Sequence, residues 1–543
     1  MLKGLLLVNF PKVQLVVSSK SQTMMSTPAN QDNRLETPNH HPFLLGTAAA
    51  DKWLSLAVIC LMIAVLLGLF QFPVRRIFAD GQVNYNEGWN AYRDALVAKG
   101  IPLYRTPPQG LVGATAYPPI SFHLVSWLGN EHTFTLVGRL ISLLSLLATG
   151  VFVALIVKRV SGSRLTAIIS FLLYEIGITL LRADRIGMND PQLLGEAFSA
   201  AGLYFYVRDP GSKRLLCISA LLFCLAGFTK PNLIAFPAAV ALDLLIRSRK
   251  SFVIWAGAMF LSAGLLWAAT VLVDGRYFLS HIMGGGGRAY SYHQAWSQFH
   301  HYVERFQCLL VIATAWSIRA FRSRPLFAAA FVLSHGLAFL LGGGNGVDLN
   351  IFFNGLAVTI IICGLALADL RPCEASQTAA LHSHAALAFG LLVFSVMIFV
   401  PGQLRRDRQQ MRLLASNAME FDSAIRVLKE NPGPAICESI LLCYEAGKPL
   451  EFEAFAVREQ VRTGATREAD VLELLETHHF RTVQVELRPD EENLEDAELR
   501  KSLGSDQQAP DTERRFSPAF MSELLKDYHL SLRTSGMAVF SAN

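Results

Sequence analysis

Charge is what this sequence lacks first. Lys, Arg, Asp and Glu make up 17% of its 543 residues, against about 25% in ordinary soluble domains. The deficit is uneven. Residues 53–401 hold almost all the long apolar runs, whereas 402–543 have the composition of a normal soluble protein. A large membrane part followed by a C-terminal soluble part is therefore expected. The net charge of +5 comes largely from basic loops beside apolar segments, which gives no support for nucleic-acid binding. Cysteines are few, and the eight present form no CxxC pair and no zinc-like spacing. Cys60, Cys217, Cys224 and Cys363 lie in apolar segments and read as small core residues. Cys437 and Cys443 stand six apart on what reads as one strand, too far from each other for a disulfide. Also missing is any internal symmetry with matching broken spans, the mark of many transporters.

What the sequence does have is apolar segments, about eleven of spanning type. They cover 53–72, 134–157, 164–181, 190–207, 214–229, 231–246, 252–273, 306–320, 325–342, 350–369 and 385–401. Residues 1–50 carry only a short, interrupted apolar patch and then a polar stretch, which reads as a disordered cytoplasmic tail. Basic residues test the topology. Lys158, Arg159 and Arg164, then Arg208, Lys213 and Arg214, then Arg247, Arg249 and Lys250 fall in alternate short loops, as do Arg319, Arg322 and Arg324. That is the positive-inside pattern. It puts the N-terminus in the cytoplasm and residues 402–543 outside, in a periplasm or its equivalent, on a multi-pass protein of an inner membrane. Two outside loops are long, 73–133 and 274–305. The first is rich in Trp and Tyr and is expected to form short helices on the membrane surface. The second contains the run Gly284 to Gly287 followed by Arg288, read either as a closing loop over a ligand or as a connector.

The C-terminal part alternates. Phe421–Glu430, Arg467–Thr477 and Pro518–Tyr528 read as helices, Ala435–Cys443 and Arg481–Leu487 as strands, and Leu530–Phe540 as a last strand or hairpin. A small α/β domain is expected, with 488–516 as a loop.

Four polar clusters fall on the outside. The first, Asn84-Tyr85-Asn86-Glu87-Gly88-Trp89-Asn90, comes just after the first span. Glu87 is read as a general base, Asn86 as a ligand for sugar hydroxyls and Trp89 as a stacking platform; the alternative is an ordinary solvated loop. The second is Arg182 to Gln192. Within it Asp190 is either a site acid or the N-cap of a helix beginning at Pro191. In the third, Phe228 to Asn232, Lys230 is a phosphate ligand or an interfacial anchor, and Arg139 has the same two readings. Asp348 and Asn350 form the fourth. Glu175 and Glu196 lie within spans, where acids face the protein interior or water, and Glu175 is placed to pair with Arg182.

Together, Asn84–Tyr92, Ile101-Pro102-Leu103-Tyr104, Tyr117-Pro118-Pro119, Gly138-Arg139, Met188–Gln192, Gly227–Asn232 and Gly346–Asn350 resemble the bacterial family-39-type glycosyltransferases. These are relatives of the protein O-mannosyltransferases and of the lipid A aminoarabinose transferase. The resemblance covers roughly residues 50–400. It implies a polytopic α-helical membrane protein with a GT-C fold, a polyprenyl-phosphate sugar donor, and transfer on the outer face to a glycan, lipid or protein acceptor. The family's first-loop motif pairs Asp with Glu, and here the pair is Asn86-Glu87. The base role then passes to Glu87, with Asp190 as the next acid. Arg139 and Lys230 resemble lipid-phosphate ligands, and Arg288, Asp348 and Asn350 complete the candidate binding set. A transporter or flippase of lipid-linked saccharides is the alternative, as is a catalytically inactive scaffold. No metal ligand is assigned, and a divalent ion stays open as a cofactor.

Overall fold

The computed structural model describes residues 43–108, 110–283, 289–370, 390, 393–504 and 515–543. The chain divides into Met1–Leu56 and a compact body, Ala57–Asn543. The body is mostly helical. In chain order the helices before the last span are α1 (Phe43–Ile77), α2 (Tyr85–Ala98), α3 (Ile120–Leu128), α4 (Phe134–Ser161), α5 (Arg164–Arg182), α6 (Pro191–Arg208) and α7 (Lys213–Gly227). They continue as α8 (Ala235–Arg247), α9 (Arg249–Val273), α10 (Phe278–Met283), α11 (Tyr292–Ala320), α12 (Pro325–Leu341) and α13 (Phe353–Asp369).

Helices occur at ten of the eleven expected spans, and of the eleventh, 385–401, residues 385–389 and 391–392 lie outside the described residues. Among the described residues, five segments are long and apolar enough to cross a membrane: Ser55–Ile77, Phe134–Ser161, Arg164–Arg185, Arg249–Val273 and Leu349–Asp369. Several others are shorter; α8 has 13 residues where about 20 are needed to cross a bilayer core. Starts and stops obey local chemistry. Ser163 caps α5 by accepting the Thr166 N–H, and Ser212 does the same for Leu215 at α7. The α11 helix reaches further back than expected, to Tyr292, and kinks at Phe306. The second outside loop is correspondingly shorter, and Gly284–Gly287 with Arg288 fall outside the described residues. As expected, the first loop contains short helices, α2 and α3.

After α14 (Val400–Glu430) the chain forms β1 (Ala435–Cys437), α15 (Ile440–Glu445), α16 (Ala454–Arg462), α17 (Glu468–Glu476) and β2 (Thr482–Glu486). Then come α18 (Asp496–Leu503), α19 (Pro518–Asp527), β3 (Tyr528–Arg533) and β4 (Met537–Ala542). The strands make one sheet in the order β1-β2-β4-β3. The β1–β2 pair is parallel and joined by a helical crossover, and the other two pairs are antiparallel. Ile436, Val483, Val485 and Phe540 point into its core with Phe452, Leu475 and Phe520. Residues 488–516 were expected to be a loop, but α18 interrupts them because Leu499 and Leu503, a turn apart, are buried.

Ala435–Cys443 is not one strand, and this reverses the expectation for its cysteines. The strand stops at Cys437, the chain turns at Ser439, and α15 coils back. Its winding brings the Cys443 Cα to 5.8 Å from that of Cys437, and the two form a disulfide. Such bonds persist in oxidising compartments. Reduction is expected to lower stability by about 2 kcal/mol from loop closure alone. Thermal unfolding with and without reductant measures it, and a Cys437→Ser, Cys443→Ser variant should show no reductant dependence.

Two glycines fix the packing around α2 and α4, both through close approach. A Cβ on Gly88 would lie 2.2 Å from the Leu441 amide nitrogen, so α15 rests directly on α2. A Cβ on Gly138 would lie 2.0 Å from Asn189 Oδ1, so the α5–α6 loop rests directly on α4.

Candidate functional site

Asn84 opens α2 as its N-cap, and its side chain accepts the Asn86 N–H at 3.3 Å. This sets Glu87 in the first turn on the inward face. The carboxylate is fully buried. Arg139 reaches it through Nε at 2.9 Å and Nη2 at 2.8 Å, the Val83 N–H at 2.7 Å and the Asn189 N–H at 3.0 Å. Arg139 also donates to the carbonyls of Ala79 at 2.9 Å and Gly81 at 2.6 Å. Longer contacts reach those of Arg76 and Ile77 at the end of α1, where the helix dipole is negative. Glu87 was expected at a water-facing surface as the base, and Arg139 on a phosphate. Here each is consumed by the other and by backbone, and neither lines the large cavity nearby. They form a clamp joining α1, α2, α4 and the α5–α6 loop.

The cavity is elsewhere, and its volume is about 740 Å³. Asn84, Tyr85, Asn86, Trp89 and Tyr117 line it on one side, with Arg185 and Asp348. Phe455, Ala456, Glu459 and Gln460 of α16 line the other. Helix α16 is stitched in place. Glu459 accepts from Asn345 Nδ2 at 2.6 Å and the Ala289 N–H at 3.3 Å, and Gln460 Nε2 donates to the Gly110 carbonyl at 3.1 Å.

Asp190 lies one contact behind Asn86. Pro191 occupies the first turn of α6 and Asp190 caps it, accepting the Gln192 N–H at 2.9 Å. Its other partners are all distant: Asn86 Nδ2 at 3.4 Å, Lys230 Nζ at 3.7 Å and Arg185 Nη1 at 3.8 Å. Burial works to raise its pKa, but Lys230 and Arg185, together with the hydrogen bonds from the Gln192 N–H and Asn86, outweigh burial and hold the carboxyl below the usual carboxylate range. Among the described residues Lys230 has no tight partner either; its ammonium sits 4.0 Å over the Tyr117 ring. Asp348, by contrast, is committed: it pairs with Arg185 at 2.7 Å and also with Arg182. Arg182 takes Asp184 as well, so the expected Arg182–Glu175 pair does not form.

Of the expected site residues, then, Asn86, Trp89 and Asp348 line the cavity, and Asp190 and Lys230 stand just behind it. Asn350 sits in the turn Leu349–Phe352 next to Asp348 and is buried. Arg288 lies outside the described residues. Trp89 is not an open platform, because Arg93 covers its ring at 4.6 Å and Tyr117 meets it edge-on at 5.4 Å. Deeper in the membrane part, Glu196 accepts from Gln192 at 2.9 Å and from Asn354. Neither carboxyl oxygen of Glu175 has a hydrogen-bond partner among the described residues.

Two cavity acids, Glu453 and Glu459, were not anticipated from the sequence. Glu453 caps α16, accepting the N–H groups of Phe455 at 3.2 Å and Ala456 at 2.8 Å. Burial pushes its carboxyl up to about 7, against the pull of those amides and of Arg515. Its only sequence signal is a capping residue before a short helix, which does not separate a cap from a site acid. A divalent ion does not fit this donor set. Among the described residues no three His, Cys, Asp or Glu converge, and Asp190 and Asp348 already face cations.

No family model and no curated protein matches this chain. Solved structures do. ArnT from Cupriavidus metallidurans bound to undecaprenyl phosphate matches with a TM-score of 0.55 at 12% identity, covering 89% of this chain and 98% of that one. Its apo form gives 0.55 at 13%, with 91% and 98% covered. The Archaeoglobus fulgidus oligosaccharyltransferase in the apo form gives 0.52 at 12%, with 80% and 70% covered. The likeness shows that this chain shares the fold of these two proteins.

Proposed function

We propose that this GT-C fold serves a membrane glycosyltransferase that moves a sugar from a polyprenyl-phosphate donor to an acceptor outside the cytoplasm. The observation that carries the reading is the convergence of Asn86, Asp190, Lys230, Arg185 and Asp348, from four separate chain segments, beside one large cavity. The ArnT structure holding undecaprenyl phosphate supports the donor class. The disulfide in residues 402–543 supports an outside location for them.

The reaction is an inverting displacement at the anomeric carbon. The acceptor hydroxyl attacks, the sugar–phosphate bond breaks, and the acceptor proton passes to a carboxylate. Three acids were expected near the site. Glu87 is sealed, and Asp348 is neutralised by two arginines. Asp190 is the one of the three held only at longer distances by its cations, so it takes the proton. Lys230, held near Asp190 without a tight bond, is free to neutralise the leaving phosphate. Glu87 and Arg139 position α2 and the α5–α6 loop.

The test is transfer by the purified chain from a panel of polyprenyl-phosphate sugars, paired with mass spectrometry of envelope glycans in a deletion strain. A missing glycan and transfer in vitro are expected. Sugar-independent movement of lipid-linked saccharides across a vesicle, without transfer, would favour the flippase alternative.

A further inference from the structure

The helix that leads into the C-terminal part begins with a basic stripe. Helices α14 and α1 run side by side and parallel. A Cβ on Gly68 would lie 3.5 Å from Leu404 Cδ2, and seven residues later in both helices Arg75 Nη1 reaches Met411 Sδ at 3.9 Å. Arg405, Arg406 and Arg408 are therefore level with the last turns of the apolar segment Ser55–Ile77. Arg412 follows at the level of Arg75. Arg405, Arg408 and Arg412 stand three and four residues apart, on one face of α14. These three and Arg75 are exposed, and none of them makes an ion pair among the described residues. Asp407 is the one acid between Val400 and Met419, and it is buried, accepting from Gln403 at 2.8 Å. Arg406 turns to Gln403 Oε1 at 2.7 Å. Like charges at these spacings weaken a helix, so the stripe calls for an anion from outside the chain.

Position says what that anion is. Ile63 and Leu67 of α1, and Phe394 and Ile398 just before α14, are exposed apolar residues, as a surface against acyl chains would be. Towards the end of α1 this surface gives way to the four arginines. Exposed apolar side chains followed by exposed guanidiniums are the profile of a bilayer edge, with acyl chains below and headgroups above. From this juxtaposition we infer that Arg75, Arg405, Arg408 and Arg412 form a docking surface for the anionic phospholipid headgroups of the leaflet on the cavity side. None of the four lines the cavity. The inference rests on the membrane reading alone and not on sugar transfer. Its consequence lies in α14 itself, which buries residues at both ends and none from Arg408 to Glu420. The far end is built into the C-terminal part, where Phe421 and Leu428 pack with Leu441 and Leu442 of α15. There Glu420 accepts from Ser535 Oγ at 2.6 Å and from the Gly536 N–H at 3.2 Å. Headgroups held at the near end brace a helix that is bare at mid-length. They thereby tie the C-terminal part, with the α16 wall of the cavity, to the membrane surface.

The experiment titrates the full chain in detergent with dioleoyl phosphatidylglycerol or dioleoyl phosphatidylcholine and counts bound lipid by native mass spectrometry. The variants are a triple, Arg405→Gln with Arg408→Gln and Arg412→Gln, and the same triple to Lys. Wild type should prefer phosphatidylglycerol, and less so in high salt. Each basic residue near an anionic surface is worth about fivefold in affinity, so the Gln triple should lose about 100-fold of that preference. The Lys triple should keep most of it, because a headgroup layer accepts point charges as well as forks. Exchanges at exposed positions leave folding intact. In nanodiscs, amides 409–419 should exchange more slowly when phosphatidylglycerol is present, in wild type but not in the Gln triple. Equal binding of the two lipids by wild type, or an unchanged preference in the Gln triple, would overturn the surface. So would a Gln triple that loses polyprenyl phosphate together with phosphatidylglycerol, since the arginines would then serve the donor. A chain that prefers phosphatidylglycerol as expected but transfers no sugar would leave the surface standing and remove the transferase reading.

Discussion

Replacing Glu87 by glutamine is expected to destabilise the protein by about 3–5 kcal/mol, the usual cost of removing one partner from a buried ion pair. Arg139 is 3% exposed, and it would keep its charge with only carbonyls facing it. The loss should appear as a lower unfolding temperature and poor recovery of folded protein from the membrane. A catalytic base predicts the opposite pattern, an inactive protein with normal stability. The two are separated further by a double substitution, Glu87→Met with Arg139→Met. Removing both charges should recover much of the lost stability, whereas two additive losses would show that the pair is not coupled. Thermal unfolding of the single and double variants in one detergent decides the matter.

Asp190→Asn should give the reverse result, a folded protein whose transfer rate falls by about 10²- to 10⁴-fold. The amide can still accept the Gln192 N–H that caps α6, and Arg185 keeps Asp348 as a partner. The pH dependence has a definite sign. The Asp190 carboxyl is held below its ordinary value, so its charge-dependent stabilisation is fully present above the ordinary carboxylate range and is lost as pH falls through the depressed value. Activity that depends on this carboxylate should therefore stay level into mild acid. A rate that falls already near neutral pH would point to an acid titrating there, and Glu453, pushed up to about 7 at the cavity wall, is the one in place. Normal turnover of Asp190→Asn in a purified donor assay would remove Asp190 from the chemistry.

Much of the fold was legible, because hydrophobic runs and capping residues act locally. Apolar segments marked helices at the described spans, and Asp190 before Pro191 marked the start of α6. In the C-terminal part, alternation marked β2 and the final hairpin. The errors share a cause. Ala435–Cys443 read as one strand because its apolar residues are buried against both the sheet and α2, and continuous burial erases the period that separates strand from helix. Helix α16 was not anticipated; it is short, polar on one side, and stabilised by contacts with residues 110, 289 and 345 that lie far away in sequence.

For the site, the sequence by itself determined which polar residues leave the apolar segments, since the cost of burying charge in lipid confines them to helix ends. Asn86, Asp190, Lys230 and Asp348, drawn from separate polar clusters of the sequence, lie near one another in the structure. Partner choice was decided only by tertiary structure. Glu87 and Asp190 are equally acidic in sequence, and Arg139, Lys230 and Arg93 equally basic. The missing side chain on Gly138 lets Asn189 settle against α4, and the end of α1 supplies carbonyls for Arg139. With those in place Glu87 is spent on Arg139, while Asp190 and Lys230 stay loosely held. A charge is usable when its neighbours leave its hydrogen-bonding capacity unfilled, and those neighbours come from segments about a hundred residues apart.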